Sequence, residues 1–161
     1  MTDVLAICRH LPEIKVPRGS ALIEESIPTS KLYVLKRGAF VVMRLGVRVV
    51  EISEPGAFLG EISALLGSTP TATLVATQDS AVHVIEGASA VVRTQPDLTF
   101  AIAQLLARRL MAVTTYLVDI KRQYADSNTH LAVMDQVLGN LIAMNPAAVE
   151  PGSERSDVPD Y

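Results

Sequence analysis

Cysteine, tryptophan and long apolar runs are scarce in this chain. Its 161 residues include one cysteine, Cys8, and no tryptophan, and aromatic residues make up only 4%. A single cysteine excludes an internal disulfide and a cysteine-based zinc site, which suits a reducing cytoplasm. No uninterrupted apolar run approaches the roughly 20 residues of a membrane span, and the N-terminus lacks a secretion signal. We therefore expect a cytoplasmic protein with no membrane partner.

Positive charge is also in short supply. The chain has 14 Lys and Arg against 17 Asp and Glu, which gives a net charge of −3 and a pI near 5.6. Nucleic-acid-binding domains show a basic surplus instead, so direct DNA binding is not expected. Hydrophobic residues account for 49% of the chain, which is enough for the core of one domain.

The sequence lacks the motifs of catalysis and of metal binding. A metal-dependent cupin enzyme needs clustered His and Glu ligands, whereas His10, His83 and His130 are isolated in three different segments. No P-loop, dinucleotide fingerprint or Gly-x-Ser-x-Gly sequence is present. We therefore expect no catalytic residue, no metal and no cofactor.

Short β-rich segments separated by Gly, Pro and Ser fill the first half of the chain, after a short amphipathic helix in the first dozen residues. Many short strands with such turns are typical of a sandwich, a barrel or a jelly roll. The alternation predicts strands at 21–25, 31–36, 39–44, 47–52, 72–77 and 81–85.

From about Pro96 the pattern becomes helical, since proline suits a first helical turn and a long helix-compatible run follows it. Apolar residues then recur in steps of four and three, as in a heptad seam, at Leu106, Leu110, Val113, Leu117, Ile120 and Tyr124. We predict a main domain over 1–126 that includes this long helix. An additional amphipathic helix over 127–144 and a disordered tail over 145–161 complete the prediction.

The segment 56–76 carries the most specific signal. It reads Gly60-Glu61, then a short apolar helix, a small loop and a Thr-Ala-Thr run that enters a strand. This resembles the phosphate-binding cassette of the cyclic-nucleotide-binding domain, the sensor module of the catabolite activator (Crp/Fnr-like) superfamily and of cyclic-nucleotide-gated kinases and channels. The resemblance implies a mainly β fold with flanking helices: a jelly-roll-like cyclic-nucleotide-binding β-roll followed by a long C-terminal helix and a shorter helix.

The resemblance also assigns ligand contacts. It implies that Glu61 accepts a hydrogen bond from the ribose 2′-hydroxyl and that Gly60 lets the backbone approach the ligand closely. The amides that begin the short helix would face the cyclic phosphate. Thr114 falls where the family's last helix reads the base, with an exposed helix threonine as the equal alternative. The predicted ligand-binding residues are Gly60, Glu61, Ile62, Ser63, Pro70, Thr71, Ala72, Thr73 and Thr114.

Two positions depart from the family's pattern. The cassette arginine is absent, and Pro70 or Thr71 stands in its place, depending on a one-residue choice of alignment. Charge-assisted hydrogen bonds contribute roughly 1.5–3 kcal/mol each, so this loss weakens a nucleotide site by about one to two decades. Near the end of the first strand of the roll the family often has an acidic residue followed by Gly, where this chain has Glu25-Ser26. The arginines considered as replacements, all expected at the surface, are Arg44, Arg48 and Arg93.

Two functions are consistent with the sequence. The first is a stand-alone cyclic-nucleotide-binding-like sensor or regulatory domain that binds cAMP or cGMP weakly or atypically and signals through its C-terminal helices. Those helices would dimerise or dock an unknown protein partner; the alternative for the seam is packing against its own roll. The second is a degenerate fold that binds no nucleotide and acts as a protein-interaction scaffold. The predicted homodimer contacts are Leu106, Leu110, Val113, Leu117 and Ile120.

Overall fold

A computed structural model describes residues 3–123 together with residues 137 and 139. The chain divides into two compact units, Met1–Leu105 and Leu106–Tyr161. The predicted domain boundaries near 126 and 144 lie outside the described residues, and so does the predicted tail. Of the predicted second helix, only residues 137 and 139 are described, and both are helical.

Strands dominate the first unit, and helices begin and end the described chain. The elements in chain order are α1 (Val4–Cys8), β1 (Glu13–Val16), β2 (Ala21–Ile23), β3 (Leu32–Arg37), β4 (Phe40–Arg44), β5 (Val47–Ile52), β6 (Phe58–Leu59), α2 (Glu61–Leu66), β7 (Thr73–Ala76), β8 (Ser80–Ile85), α3 (Ala88–Thr94) and α4 (Pro96–Gln123). The pattern of the sequence predicted all of these except β1, β6 and α3.

The described strands form two antiparallel four-stranded sheets, in the orders β1-β8-β3-β6 and β2-β7-β4-β5. Side chains alternate between the two faces of each strand, so one face of each sheet supplies the core. Leu35 and Val82 from the first sheet and Phe40 from the second are fully buried in one cluster. This architecture confirms the predicted β-roll followed by a long helix.

The outer face of the first sheet is covered as well. All six residues of β8 are buried, and Val82 and Val84 belong to the core cluster between the sheets. On the opposite face, His83 Nδ1 lies 3.4 Å from the carbonyl oxygen of Leu11. The segment that follows α1 therefore packs over this outer face, and His83 is a packing residue of the strand.

Two non-glycine residues of the described chain, Leu45 and Ser26, adopt left-handed backbone conformations. Leu45 (φ 50°) and Gly46 (φ 76°) form the two-residue turn between β4 and β5, and positive φ at both positions matches a type I′ hairpin. Ser26 (φ 65°) follows β2. Its amide donates to the carbonyl oxygen of Pro70 at 2.9 Å. This long-range bond holds Ser26 in a conformation that costs a side chain roughly 1–2 kcal/mol.

Among the described helices, α4 alone has the length and the apolar composition needed to cross a membrane. The sequence, which has no uninterrupted apolar run of that length, did not predict a helix with this property. Leu98, Ala101 and Ile102 near the start of α4 are buried, but only 11% of the apolar window of this helix is buried, so α4 does not match a mostly buried core helix. One such helix does not place the chain in a membrane.

Gly38, between β3 and β4, is the glycine with the least room for a side chain. Its φ is +103°, and an added Cβ would lie 2.1 Å from Ser80 Oγ and 2.6 Å from Ser80 Cα. Ser80 is buried, and its hydroxyl accepts from the Ala39 amide at 3.1 Å and donates to the Gln78 carbonyl oxygen at 2.8 Å. Ser80 therefore cannot move away without losing these bonds.

We predict that Gly38→Ala lowers the free energy of unfolding by about 2–5 kcal/mol, since backbone strain and overpacking add together. Gly46→Ala is the matched control, because Gly46 has φ +76° but nothing within 4 Å of an added Cβ. It should lose only the strain, about 1–2 kcal/mol. Urea unfolding of both variants measures the difference, and equal losses would contradict this account of the Gly38 turn.

Candidate functional site

The start of the cassette is anchored by the short strand β6. Leu59 pairs with Tyr33 and Phe58 with Val34, both on β3. Phe58 and Leu59 are almost completely buried. Burial of these two apolar side chains in the sheet fixes where the chain enters the cassette.

Gly60, which follows β6, is required by the fold itself. Its φ is +90°, and an added Cβ would lie 2.9 Å from Ile23 Cδ1. Both the backbone conformation and the packing against Ile23 therefore favour glycine. The close approach of a ligand to Gly60 stays a prediction, and the structure adds the close approach of a core side chain.

The helix α2 begins directly after Gly60 and places Glu61 at its first position. The Glu61 side chain is buried, at 4% exposure, and a carboxylate at this end of a helix is favoured by the helix dipole. Ser63 is also buried, and its hydroxyl donates to the Gly60 carbonyl oxygen at 3.1 Å. Ile62 is instead exposed. At the other end of α2, Gly67 adopts a left-handed conformation and its amide donates to the Ser63 carbonyl oxygen.

The loop after α2 is tied to residues near the end of β2. The buried Pro70 accepts the Ser26 amide, as described above. Thr73 Oγ1 accepts the Glu25 amide at 2.9 Å. The Glu25 carboxylate in turn accepts the Leu45 amide at 3.1 Å. The Thr73 hydroxyl therefore holds the backbone and retains its proton and one lone pair for a ligand.

Both ends of the cassette meet one short segment, residues 23–26. Gly60 packs against Ile23, while Pro70 and Thr73 bond to residues 26 and 25. The structure thus brings together the predicted residues at 60–63 and at 70–73, with Thr71 exposed and Ala72 half-buried between them.

Glu25 and Ser26 are parts of the site that the sequence analysis treated only as a departure from the family's acid–Gly pattern. Ser26 adopts the left-handed conformation that glycine reaches without strain. The backbone conformation expected of that glycine is therefore present although the residue is serine. An acidic residue followed by a turn is the sequence signal that would have identified Glu25 and Ser26 as parts of the site.

The charges of the cassette do not suit an anion. Residues 60–73 contain no Lys or Arg, and Glu61 is their one charged side chain. Arg44, Arg48 and Arg93 are exposed, as predicted. Arg48 Nη2 lies 2.5 Å from Glu51 Oε2 within β5, so this arginine is already paired.

Thr114 and the seam residues up to Ile120 lie on the part of α4 that belongs to the second unit, and Tyr124 lies outside the described residues. Thr114 is half-buried, whereas Leu110 and Val113 are exposed at 45% and 49%. The other predicted ligand-binding residues all lie in the first unit. The base-reading role of Thr114 stays a prediction.

A cavity of about 460 Å³ adjoins α2 on its C-terminal side. Its walls come from the loop at 28–30, from Ser63 and Ala64, from the loop at 67–69 and from residues 87–90 at the start of α3. Six of these residues carry hydroxyl groups, and none of the lining residues is charged. Within residues 3–123, 137 and 139, no group of three or more His, Cys, Asp and Glu could hold a metal ion.

The profile of the cyclic nucleotide-binding domain family matches residues 13–105, which is more than half of the chain. This match begins at β1, contains the whole cassette and ends within α4. No curated protein matches the chain.

Several solved structures have a similar fold. A catabolite activator protein from Thermus thermophilus shares 22% identity at a TM-score of 0.61, over 75% of this chain and 60% of that one. The N-terminal domain of a transcriptional regulator from Streptomyces coelicolor shares 22% identity at a TM-score of 0.53, over 72% of this chain and 85% of that one.

A third structure is a cyclic nucleotide-binding domain from Methylobacillus flagellatus, with 21% identity and a TM-score of 0.54, over 76% of this chain and 68% of that one. The chain thus spans about three fifths of the length of the catabolite activator protein it matches. At these identities the structures support the fold alone. Together with the profile match over β1 to α4, they lead to one conclusion: the chain belongs to the cyclic nucleotide-binding domain family.

Proposed function

We propose that this protein is a regulatory sensor that binds cAMP or cGMP weakly in its cassette and signals through its C-terminal helices. The observation that carries this proposal is the buried Glu61 at the first position of α2. Acidic side chains are rarely fully buried unless they are paired, and the dipole of α2 favours a carboxylate at this end of the helix. A carboxylate held there is suited to accept a hydrogen bond from a ribose hydroxyl.

The phosphate would be bound by weaker groups than in a cassette with an arginine. The first amides of α2 and the exposed Thr71 hydroxyl supply neutral donors. A guanidinium would add a charged bidentate contact that these donors do not replace. Residues 60–73 contain no Lys or Arg that could pair with the phosphate. Weak binding is the expected consequence.

The second candidate is a scaffold that binds a protein and no nucleotide. It is favoured by the absence of the arginine and by the exposed apolar side chains of α2. Ile62, Leu65 and Leu66 are exposed at 46%, 40% and 74%. Such a cluster next to a site without cationic groups suits a protein partner better than a phosphate.

Dimerisation through α4 is the proposed output. Exposed leucine and valine at heptad positions are typical of a helix that packs on a second helix. Leu110 and Val113 have this exposure, and Leu106, Leu117 and Ile120 beside them on the seam are half-buried. The proposal assigns the protein to the cytoplasm and assigns it no catalysis and no direct DNA contact.

The ribose contact is tested by a thermodynamic cycle with two changes. The Glu61→Ala variant removes the carboxylate, and 2′-deoxy-cAMP lacks the ribose 2′-hydroxyl. If Glu61 accepts the 2′-hydroxyl, removing either group weakens binding about tenfold or more, and removing both costs little further. Calorimetric titration of the four combinations measures this coupling. Glu54→Ala, at an exposed position outside the cassette, is the matched control. Additive losses would contradict the assigned contact.

The missing arginine is tested by restoring it. Thr71→Arg should tighten cAMP binding by about 10- to 100-fold and leave the affinity for adenosine unchanged, because the added contact is to the phosphate. Ser68→Arg adds the same charge at another exposed position of the cassette loop. Equal gains from both variants would indicate a nonspecific charge effect, and no gain from either would favour the scaffold.

The seam is tested by Leu110→Asp combined with Leu117→Asp. Two buried carboxylates in a helix–helix contact are strongly unfavourable, so we expect dimers to dissociate in analytical ultracentrifugation. Ala112→Asp with Thr115→Asp places the same charges on exposed positions away from the seam. This control should stay dimeric, and dimers that persist in the seam variant would overturn the assignment.

A further inference from the structure

The first unit contains a second cavity that has no part in the cassette. Its volume is about 300 Å³, and none of the residues that line it belongs to the segment 58–73. We name it the α1–α3 cavity, because it lies between α1, β8, α3 and the start of α4. Its walls include Ile7, Cys8, Leu11, Ile85, Val91 and Leu98.

The α1–α3 cavity has buried apolar walls at its base and polar side chains at its opening. Cys8, Ile85 and Leu98 are at most 2% exposed, so they form the floor. Glu86 and Gln95 also line the cavity but are exposed, which places them at its opening. Burial raises the pKa of the Cys8 thiol to about 11, so this side chain is uncharged and adds to the apolar wall.

The dimensions and the chemistry of this cavity match those of a ligand site. Binding pockets for small molecules begin at about 300 Å³ and combine apolar walls with a few polar groups. An apolar cavity of about 150 Å³ binds benzene, so twice that volume suits an apolar body of about ten to twelve non-hydrogen atoms. Left empty, the apolar walls would lack contact partners on one side.

The mouth determines which polar group the ligand can carry. The Glu86 carboxylate lies 3.0 Å from Lys31 Nζ, so the Lys31 ammonium group is already engaged in an ion pair with Glu86. A ligand carboxylate would meet the Glu86 charge there. A neutral hydroxyl or amide would instead bond to Glu86 or Gln95 as a donor.

We infer that the α1–α3 cavity is a second ligand site, for a small, neutral, mostly apolar molecule with one hydrogen-bonding group. The occupant would contact α1, α3 and the start of α4 at once through Ile7, Val91 and Leu98. This inference does not depend on nucleotide binding in the cassette, so either proposal can fail without the other.

Methyl NMR of the full chain with 2-naphthol as the probe tests the inference. We expect saturable shifts confined to the methyl groups of Ile7, Leu11, Val91 and Leu98 at submillimolar probe. Val91→Phe fills the cavity and should weaken binding at least tenfold. Thr94→Phe, at an exposed position of α3 that lines neither cavity, is the matched control and should bind as the wild type does.

Should Val91→Phe fail to fold, Leu11→Phe fills the cavity from the opposite wall. Saturating shifts located elsewhere, or none in the folded wild type, would overturn the site. Naphthalene-2-carboxylate has the same apolar body with a negative charge. Binding of this anion as tight as that of 2-naphthol would overturn the inferred preference for a neutral ligand.

Discussion

The contact between the Ile23 side chain and the backbone of Gly60 sets the position of the cassette. An added Cβ at Gly60 would lie 2.9 Å from Ile23 Cδ1, so the Ile23 side chain would have to shift to admit it, and the φ of +90° also favours glycine. Two residues further along β2 and its turn, the bonds of Glu25 and Ser26 hold the other end of the cassette. Together with the pairing of β6 on β3, this apolar contact and these two hydrogen bonds position both ends of the cassette.

These contacts distinguish the residues that the fold of the cassette needs from the residues that would bind a ligand. Glycine at position 60 and the left-handed turn at Ser26 serve the packing of the roll, and they would be needed without any ligand. Glu61 differs from these residues, because it brings a buried acidic side chain to the first position of α2, where the helix dipole favours it. The family's fold is therefore retained in this chain while the cationic half of its phosphate site is absent.

Much of this architecture could be predicted from the sequence, because the periodicity of β3–β5, β7, β8 and α4 is long and regular. The strand β1 was missed because Pro12 and Pro17 flank it and indicated only where α1 ends. β6 has only two residues, and α3 reads Ala-Ser-Ala-Val-Val-Arg-Thr, whose small and β-branched residues show no helical spacing of apolar side chains. Within the site, the Gly60-Glu61 pair was visible, but the bond between Thr73 and Glu25 joins residues 48 positions apart. Only the fold brings such residues together, so no local pattern could have assigned them.

The central claim is that a cassette without its arginine still binds a cyclic nucleotide. Isothermal titration of the wild-type protein with cAMP, with cGMP and adenosine alongside, tests this claim most directly. The account predicts saturable binding of a cyclic nucleotide in the micromolar to high-micromolar range, tighter than that of adenosine, because the proposed contact of the α2 amides with the phosphate would be lost with adenosine. No heat at millimolar cAMP and cGMP, with no thermal stabilisation by either, would contradict it and favour the scaffold.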